Sequence, residues 1–491
     1  MRATRSGSPS PPSDSRAERL HGLLDAAQAR RLHELLGAAL SRARVAGEPT
    51  LAAFTAPLPA GADPSAIVCA SRRAEEDWFL FEQPERGRRA LATLGTATEL
   101  SADGGERFAA VADRWRTLTA RAVADAGAGP GPVAVGGFSF ARDGGSSPHW
   151  RGYAPAALTV PELALHRVEH GGRTEAWLTI AALVEPDDVA EALAARLQAR
   201  VEGLRDAPLP LLDPAPTGRF EIVSTMPPEH YEHAVGRATE MIRAGRFEKI
   251  VLAREVQVHA PRAHDAAAVF GVLREEFPSC FVFCAGRGDS AFVAASPELL
   301  VRREGQRVST VALAASTRRS ADPAVDAHLG EQLLRDESYR EEHAIVARRI
   351  ERTLRPHSVW VAAAPEPELA RIANIQHLAT PIRAQLAAPI DALELAGLMH
   401  PTPAVGGEPL AAAVPLIPAL EGFDRGWYLG PVGWTDAEGD GEFCVALRCA
   451  LLNGTIARCY AGGGIVRDSD PARELAETEV KLAALLPLLA G

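Results

Sequence analysis

The chain has 491 residues, with 52 Lys+Arg against 63 Asp+Glu and a formal net charge of -11. Its 47% hydrophobic and 23% charged residues suit a globular protein with a sizeable core. Arginines scattered over a net negative chain exclude the concentrated basic face of a nucleic-acid binder, and no apolar run approaches the roughly 20 residues that span a bilayer.

Residues 1–17, rich in Ser and Pro and lacking the apolar segment of a secretory signal, are expected to be a disordered tail. Leucines and alanines then recur at helical spacing from Ala17 to Val45. Between 65 and 215 short strands, such as 66–70 (AIVCA) and 133–140 (VAVGGFSF), alternate with helices over 104–124 and 188–205. The segment 206–219, with four prolines and a glycine, is the best linker in the chain. The expected organisation is therefore a tail over 1–17, an N-terminal α+β half over 18–215 and a second region over 216–491.

Beyond the linker the pattern sharpens. A helix over 227–245 begins at its prolines, where a missing N–H costs little. A strand follows over 249–259, then a hairpin around Gly286–Asp289 and a second turning at Glu304-Gly305. Long helices are expected over 330–354 and 470–489. Strands running into strands without an intervening helix point to an α+β fold of large, mostly antiparallel sheets flanked by helices, not a doubly wound parallel sheet. The six cysteines form no C-x-x-C pair and lie in apolar stretches, as reduced core residues of a cytoplasmic protein would.

Only two of the 52 basic residues are lysines, Lys249 and Lys481. Arginine serves wherever a plain surface cation is enough, but its guanidinium stays charged at any working pH, so the two lysines are candidates for chemistry that needs a compact or titratable amine. Lys249 opens an apolar strand; desolvation would depress its pKa toward the range of a base, unless the side chain simply reaches solvent from the strand end. Glu298, in Ser296-Pro297-Glu298, is either a turn residue or an acid beside a pocket, where burial would keep it protonated. Glu474, Glu477 and Lys481 share one helix face. Glu477 and Lys481 could be an ordinary surface ion pair, or the carboxylates could hold a hard cation such as magnesium beside a cation for an anionic substrate. The acidic helix around Glu341, Glu342 and His343 could supply the other side of such a site. His343 lacks a second histidine at i+4, which argues against zinc. Three glycines at 462–464 permit close backbone approach to a ligand, or form only a turn.

Taken in order, KIVLAR, ASPELL, EEH, IQHLAT, LMHPTPAVGGEP, RGWYLGPVGW, GDGEFCVALRCA, YAGGGIV and ELAETEVKL resemble the chorismate-utilising enzymes over roughly 220–491. The resemblance implies an anthranilate synthase component I-like fold and makes 216–491 the chorismate-binding catalytic region. It implies that Lys249 is the general base activating water for attack at C2 of chorismate, and that Glu298 is the general acid protonating the departing C4 hydroxyl. Glu342 and Glu477 would bind Mg2+ directly and Glu474 through water. Arg448 and Lys481 would neutralise the two substrate carboxylates, Tyr428 and the amides near Gly462 would fix the pyruvyl carboxylate, and His377 and Thr380 would line the ring pocket. HPTPAVGG and RGWYLGPVGW look most like isochorismate synthases, particularly those serving menaquinone synthesis; a siderophore pathway is the other use of the product. Ala404 supports that subgroup, because relatives that eliminate pyruvate, such as salicylate synthases, typically carry threonine there. No glutaminase Cys/His arrangement is recognisable and no glutaminase partner is expected, although a separate subunit could provide one; the alternative reading is a salicylate synthase or an ammonia-using anthranilate or aminodeoxychorismate synthase relative. A cytoplasmic monomer without membrane contact is expected. Two positions depart from the family. Ala315 stands where glycine is common, and Ser338-Tyr339 replaces a common Lys-Asp before EEH.

Overall fold

Both large sheets draw strands from either side of the proline-rich segment 206–219. The computed structural model describes residues 18–20, 22–125, 129–372 and 375–491, so the expected tail over 1–17 lies outside the described residues. In the 13-stranded sheet the halves join where Phe281–Arg287 pairs with Trp78–Gln83. In the 10-stranded sheet they join where Pro431–Asp436 pairs with Val133–Phe138. Among the described strands only Thr50–Pro57 and Val123–Ala124 pair in parallel. The α+β architecture of large antiparallel sheets flanked by helices is thus as expected, and 206–219 links two halves of shared sheets. No described helix is long and apolar enough to cross a membrane.

The two sheets communicate at a seam. One chain segment leaves the larger sheet at Ser290–Ser296 and enters the smaller at Leu299–Glu304; another returns from Gly441–Val445 to Cys449–Asn453. The crossings run side by side. Val445 donates its N–H to the Glu298 carbonyl at 3.0 Å and Ala295 donates to the Arg448 carbonyl at 3.1 Å, while the Ser296 hydroxyl donates to the Val445 carbonyl at 2.5 Å. Buried Phe138, Phe283, Phe292, Trp427 and Phe443 belong to the core that holds the layers together.

The helix over 227–245 appears as Pro228–Arg243, and the strand over 249–259 and both hairpins appear as expected. Three elements differ. AIVCA is the body of a helix, Pro64–Ser71, started by Pro64 and by Asp63, whose carboxylate accepts from the Ala66 N–H. The expected helix over 330–354 is two, Pro323–Arg335 and Glu337–Leu354, because the Asp336 carboxylate caps the amides of Ser338 and Tyr339 and holds extended backbone between them. The expected helix over 470–489 divides likewise into Pro471–Leu482 and Leu486–Ala490. All six cysteines are free and five are buried; burial raises the Cys280 and Cys459 thiols to about 12, so they behave as small hydrophobes.

Ala315 sits at a register break between the strands Arg307–Arg318 and Ile375–Leu386. Its φ is +57°, a left-handed conformation that glycine adopts without penalty. Ala315→Gly should therefore raise stability by about 0.5–1 kcal/mol, the left-handed penalty of alanine less the backbone entropy of glycine. Chemical denaturation checks this; a lower midpoint for the variant would show that the bulge is unstrained.

Candidate active site

The seam opens into a cavity walled by both sheets and closed by two helices. Lys249, Glu298, Glu342, His377, Ala404, Tyr428, Arg448, Gly462, Glu474, Glu477 and Lys481 all border it. Thr380 does not. It lies three residues from His377 on one strand, and strand side chains alternate between faces, so the two point apart. Thr380 instead meets His343 across 2.7 Å on the far side of that wall.

Each crossing places one ionisable side chain at the seam. Glu298 lies in the turn between Ser290–Ser296 and Leu299–Glu304 and is 5% exposed. Burial pushes its carboxyl up to about 8, against the opposing pull of Lys249 and Arg448. It is therefore protonated at neutral pH. Arg448 lies in the return crossing with φ +48°, and its Nη2 stands 3.2 Å from Nε2 of His377. His377 also has a hydrogen bond to the Ala315 backbone, and burial, with Arg448 and Lys481 nearby, holds its pKa well below the usual histidine value. A neutral ring can accept from the guanidinium, so the Ala315 bulge, His377 and Arg448 form one positioning chain.

Lys249 is 1% exposed at the start of its strand, and its Nζ donates to Glu342 at 2.9 Å. The companion strand Ile456–Ile465 makes room. A Cβ on Gly464 would lie 2.6 Å from Glu342 Oε1 and 2.7 Å from Lys249 Cε, and one on Gly463 would lie 2.8 Å from Glu474 Oε2. Two of the three glycines thus mark where functional side chains cross the sheet. At Gly462 the engaged group is the carbonyl, which accepts from Lys481 Nζ at 2.7 Å. Lys481 also pairs with Glu477 at 2.7 Å, so a compact ammonium fits between backbone and carboxylate.

The helix Pro471–Leu482, capped by Asp470, carries Glu474 and Glu477; Glu337–Leu354 carries Glu342. Burial works to raise Glu477, but Lys481 and the Ser316 hydroxyl, 2.7 Å away, hold it below the ordinary carboxylate value. Glu474 is raised by burial and by the Glu477 charge, with Glu342 adding to it. Among the described residues no three His, Cys, Asp or Glu side chains stand together as a metal cluster. Glu342 and Glu477 are each drawn to a lysine, while Glu474 meets the charges of both against the pull of Lys481 and a Ser469 hydrogen bond. Carboxylate oxygens gathered from two helices are the donor chemistry that a hard divalent cation takes.

Ser316 and Tyr460 were not among the expected site residues. Ser316 follows the bulge. Tyr460 lies two positions before Gly462 on the same strand and stacks on Tyr428 at 5.0 Å, with a buried hydroxyl that has no partner. Its two-residue spacing was the available signal. At the mouth, the Arg473 guanidinium donates to the hydroxyl of Tyr339 and lies 5.4 Å over its ring, so the unusual Tyr339 joins the two capping helices.

The chain is similar to known proteins along most of its length. A family described as "Chorismate binding enzyme" matches residues 38–490, and the chain belongs to that family. The salicylate biosynthesis isochorismate synthase of Pseudomonas aeruginosa is 38% identical over 431 residues, 87% of this chain and 88% of the relative. The isochorismate synthase MenF of Bacillus subtilis is 34% identical over 367 residues, 74% of this chain and 75% of the relative. The solved menaquinone-specific isochorismate synthase MenF of Escherichia coli superposes with a TM-score of 0.74 at 27% identity, covering 94% of this chain and 100% of that one.

The raised Glu298 carboxyl has a stability consequence. Between pH 4.5 and about 8 the unfolded chain has lost a proton that the folded chain keeps, so this group lowers stability as pH rises through that window. Glu298→Gln cannot ionise and should show a shallower fall in melting temperature from pH 5 to 8. Parallel curves for the two proteins would contradict the buried neutral acid.

Proposed function

We infer that the protein is an isochorismate synthase, converting chorismate to isochorismate; the observation that carries the reading is a buried carboxyl, Glu298, and a buried amine, Lys249, on separate elements of one cavity that also holds Arg448 and Lys481. The substrate is a dianion, and Arg448 and Lys481 are placed to neutralise its carboxylates. A water molecule attacks C2 of the ring while Lys249 takes its proton. The ring double bonds shift, the C4–O bond breaks, and Glu298 gives its proton to the leaving hydroxyl, which departs as water.

The residues that would hold magnesium are Glu342 and Glu477, with Glu474 assisting through water; when bound, the ion supplies positive charge for the ring carboxylate. Tyr428, Tyr460 and the backbone near Gly462 line the same end of the cavity as Lys481 and can orient the second carboxylate. Ala404 offers only a methyl group to the bound intermediate. A methyl cannot hydrogen-bond or polarise it, which favours release with the pyruvyl group intact over its elimination as in salicylate synthases.

The test is to incubate the purified protein with chorismate and magnesium, with and without ammonium, and separate the products. Isochorismate as the main product in both is expected; salicylate or anthranilate would overturn the reading. In the same assay Lys249→Arg keeps the positive charge but should abolish turnover, since a guanidinium cannot accept a proton near neutral pH. Substantial retained activity would remove Lys249 as the base.

A further inference from the structure

The strand Lys249–His259 is paired along one edge by Ile456–Ile465. Its other edge is paired only at the ends, by Gly407–Glu408 at Lys249–Ile250 and by Glu221–Ser224 at Val256–His259. Between them no described strand faces the outward backbone groups, and buried groups of that kind need partners. The Val251 N–H donates to the Gly406 carbonyl at 3.0 Å and the Thr225 N–H to the Glu255 carbonyl at 3.2 Å; two side chains serve groups left between these bonds. Glu421 accepts the Ala253 N–H at 2.6 Å, and Arg425 Nη2 donates to the Val251 carbonyl at 2.8 Å. Arg425 Nη1 also donates to the Val405 carbonyl at 3.1 Å, next to Ala404. The two charges pair with each other through Nε to Oε2 at 2.9 Å and Nη2 to Oε1 at 2.5 Å, and the guanidinium lies 4.2 Å over the Phe140 ring. Both residues are buried, at 3% and 4% exposure, and neither borders the cavity.

A buried ion pair is weak support for stability, because well-packed apolar residues of similar volume often replace one at no loss. What apolar residues cannot do is bond to Val251, Ala253 and Val405 at once. We propose that Glu421 and Arg425 are positioning residues that stand in for a missing strand, holding the strand that carries Lys249 and the loop that carries Ala404 in fixed register. The role rests on the isochorismate synthase reading: the base must meet the water on one face of the ring while the Ala404 loop shapes the cavity wall. Displacement of a reacting group by about 1 Å can cost on the order of 10²-fold in rate.

The test uses the full-length protein with chorismate and magnesium. Glu421→Leu combined with Arg425→Met removes both charges together, so no lone charge is left buried. Its kcat per folded molecule, with the folded fraction measured by thermal unfolding, should fall by about 10²-fold with a much smaller change in KM. Arg425→Lys, which keeps the charge but cannot span both carbonyls, should fall between that variant and the wild type. Hydrogen exchange of peptides covering 250–254 should accelerate in the double variant, while the partner strand at 456–465 stays protected. Should the double variant fail to fold, Glu421→Gln, equal in shape, should still reduce kcat by about tenfold. A folded variant with kcat within about twofold of wild type, or a loss explained wholly by unfolded protein, overturns the positioning role. A wild type that makes no isochorismate would defeat the assigned reaction instead, leaving the exchange measurement to judge the register claim.

Discussion

Everything in the active site depends on two chain segments crossing from sheet to sheet at the same place. A crossing strand must turn away from its neighbours, which exposes backbone groups inside the protein. Here the two crossings satisfy each other through the Glu298 and Arg448 carbonyls and the Ser296 hydroxyl. The divergence leaves a cavity, and the turning residues are the ones whose side chains reach it. An acid and a cation are consequently fixed by the same hydrogen bonds that keep the two layers together. The left-handed conformation of Arg448 is part of that turn.

Around the seam, charge is organised by burial. Glu298 is driven to its neutral form by desolvation, while Glu477 keeps its charge through Lys481 and Ser316. Two carboxyl groups in one cavity are thus shifted in opposite directions, one up and one down, through their surroundings alone. The glycines of Ile456–Ile465 complete the arrangement by omission, since side chains at Gly463 and Gly464 would occupy the positions of Glu474, Glu342 and Lys249. The suspicion raised by two lysines among fifty arginines gains a physical basis. Lys249 occupies a space shared with a carboxylate against a bare strand, and Lys481 a slot between Gly462 and Glu477. In each place a compact ammonium sits within hydrogen-bond distance of a carboxylate.

What could be read from the residues followed locality. The strand Lys249–His259 and the two hairpins were legible because alternation and turn residues act over a few positions. AIVCA was not, since a short run that is apolar throughout has no period; the helix signal lay just ahead of it, in Asp63-Pro64. The helix expected over 330–354 runs through Asp336, although a carboxylate that can bond to amides two and three residues on favours a break. Most of the residues that border the cavity lie in the family motifs, which record tertiary contacts no local rule supplies. Thr380 shows the limit of that route, because its motif is shared with His377 but its parity on the strand puts it behind the wall. Glu421 and Arg425 were missed altogether. Their role comes from a gap in a sheet edge, which no stretch of sequence displays.

In the proposed reaction water attacks C2 while the C4 hydroxyl leaves. Turnover in water enriched in oxygen-18, followed by mass spectrometry and carbon-13 NMR of the isochorismate, tests this most directly. The product should carry one heavy oxygen, at the C2 hydroxyl. Isochorismate whose hydroxyl retains the oxygen of the original C4 hydroxyl would mean that the group migrates within the substrate, and the roles given to Lys249 and Glu298 would not stand.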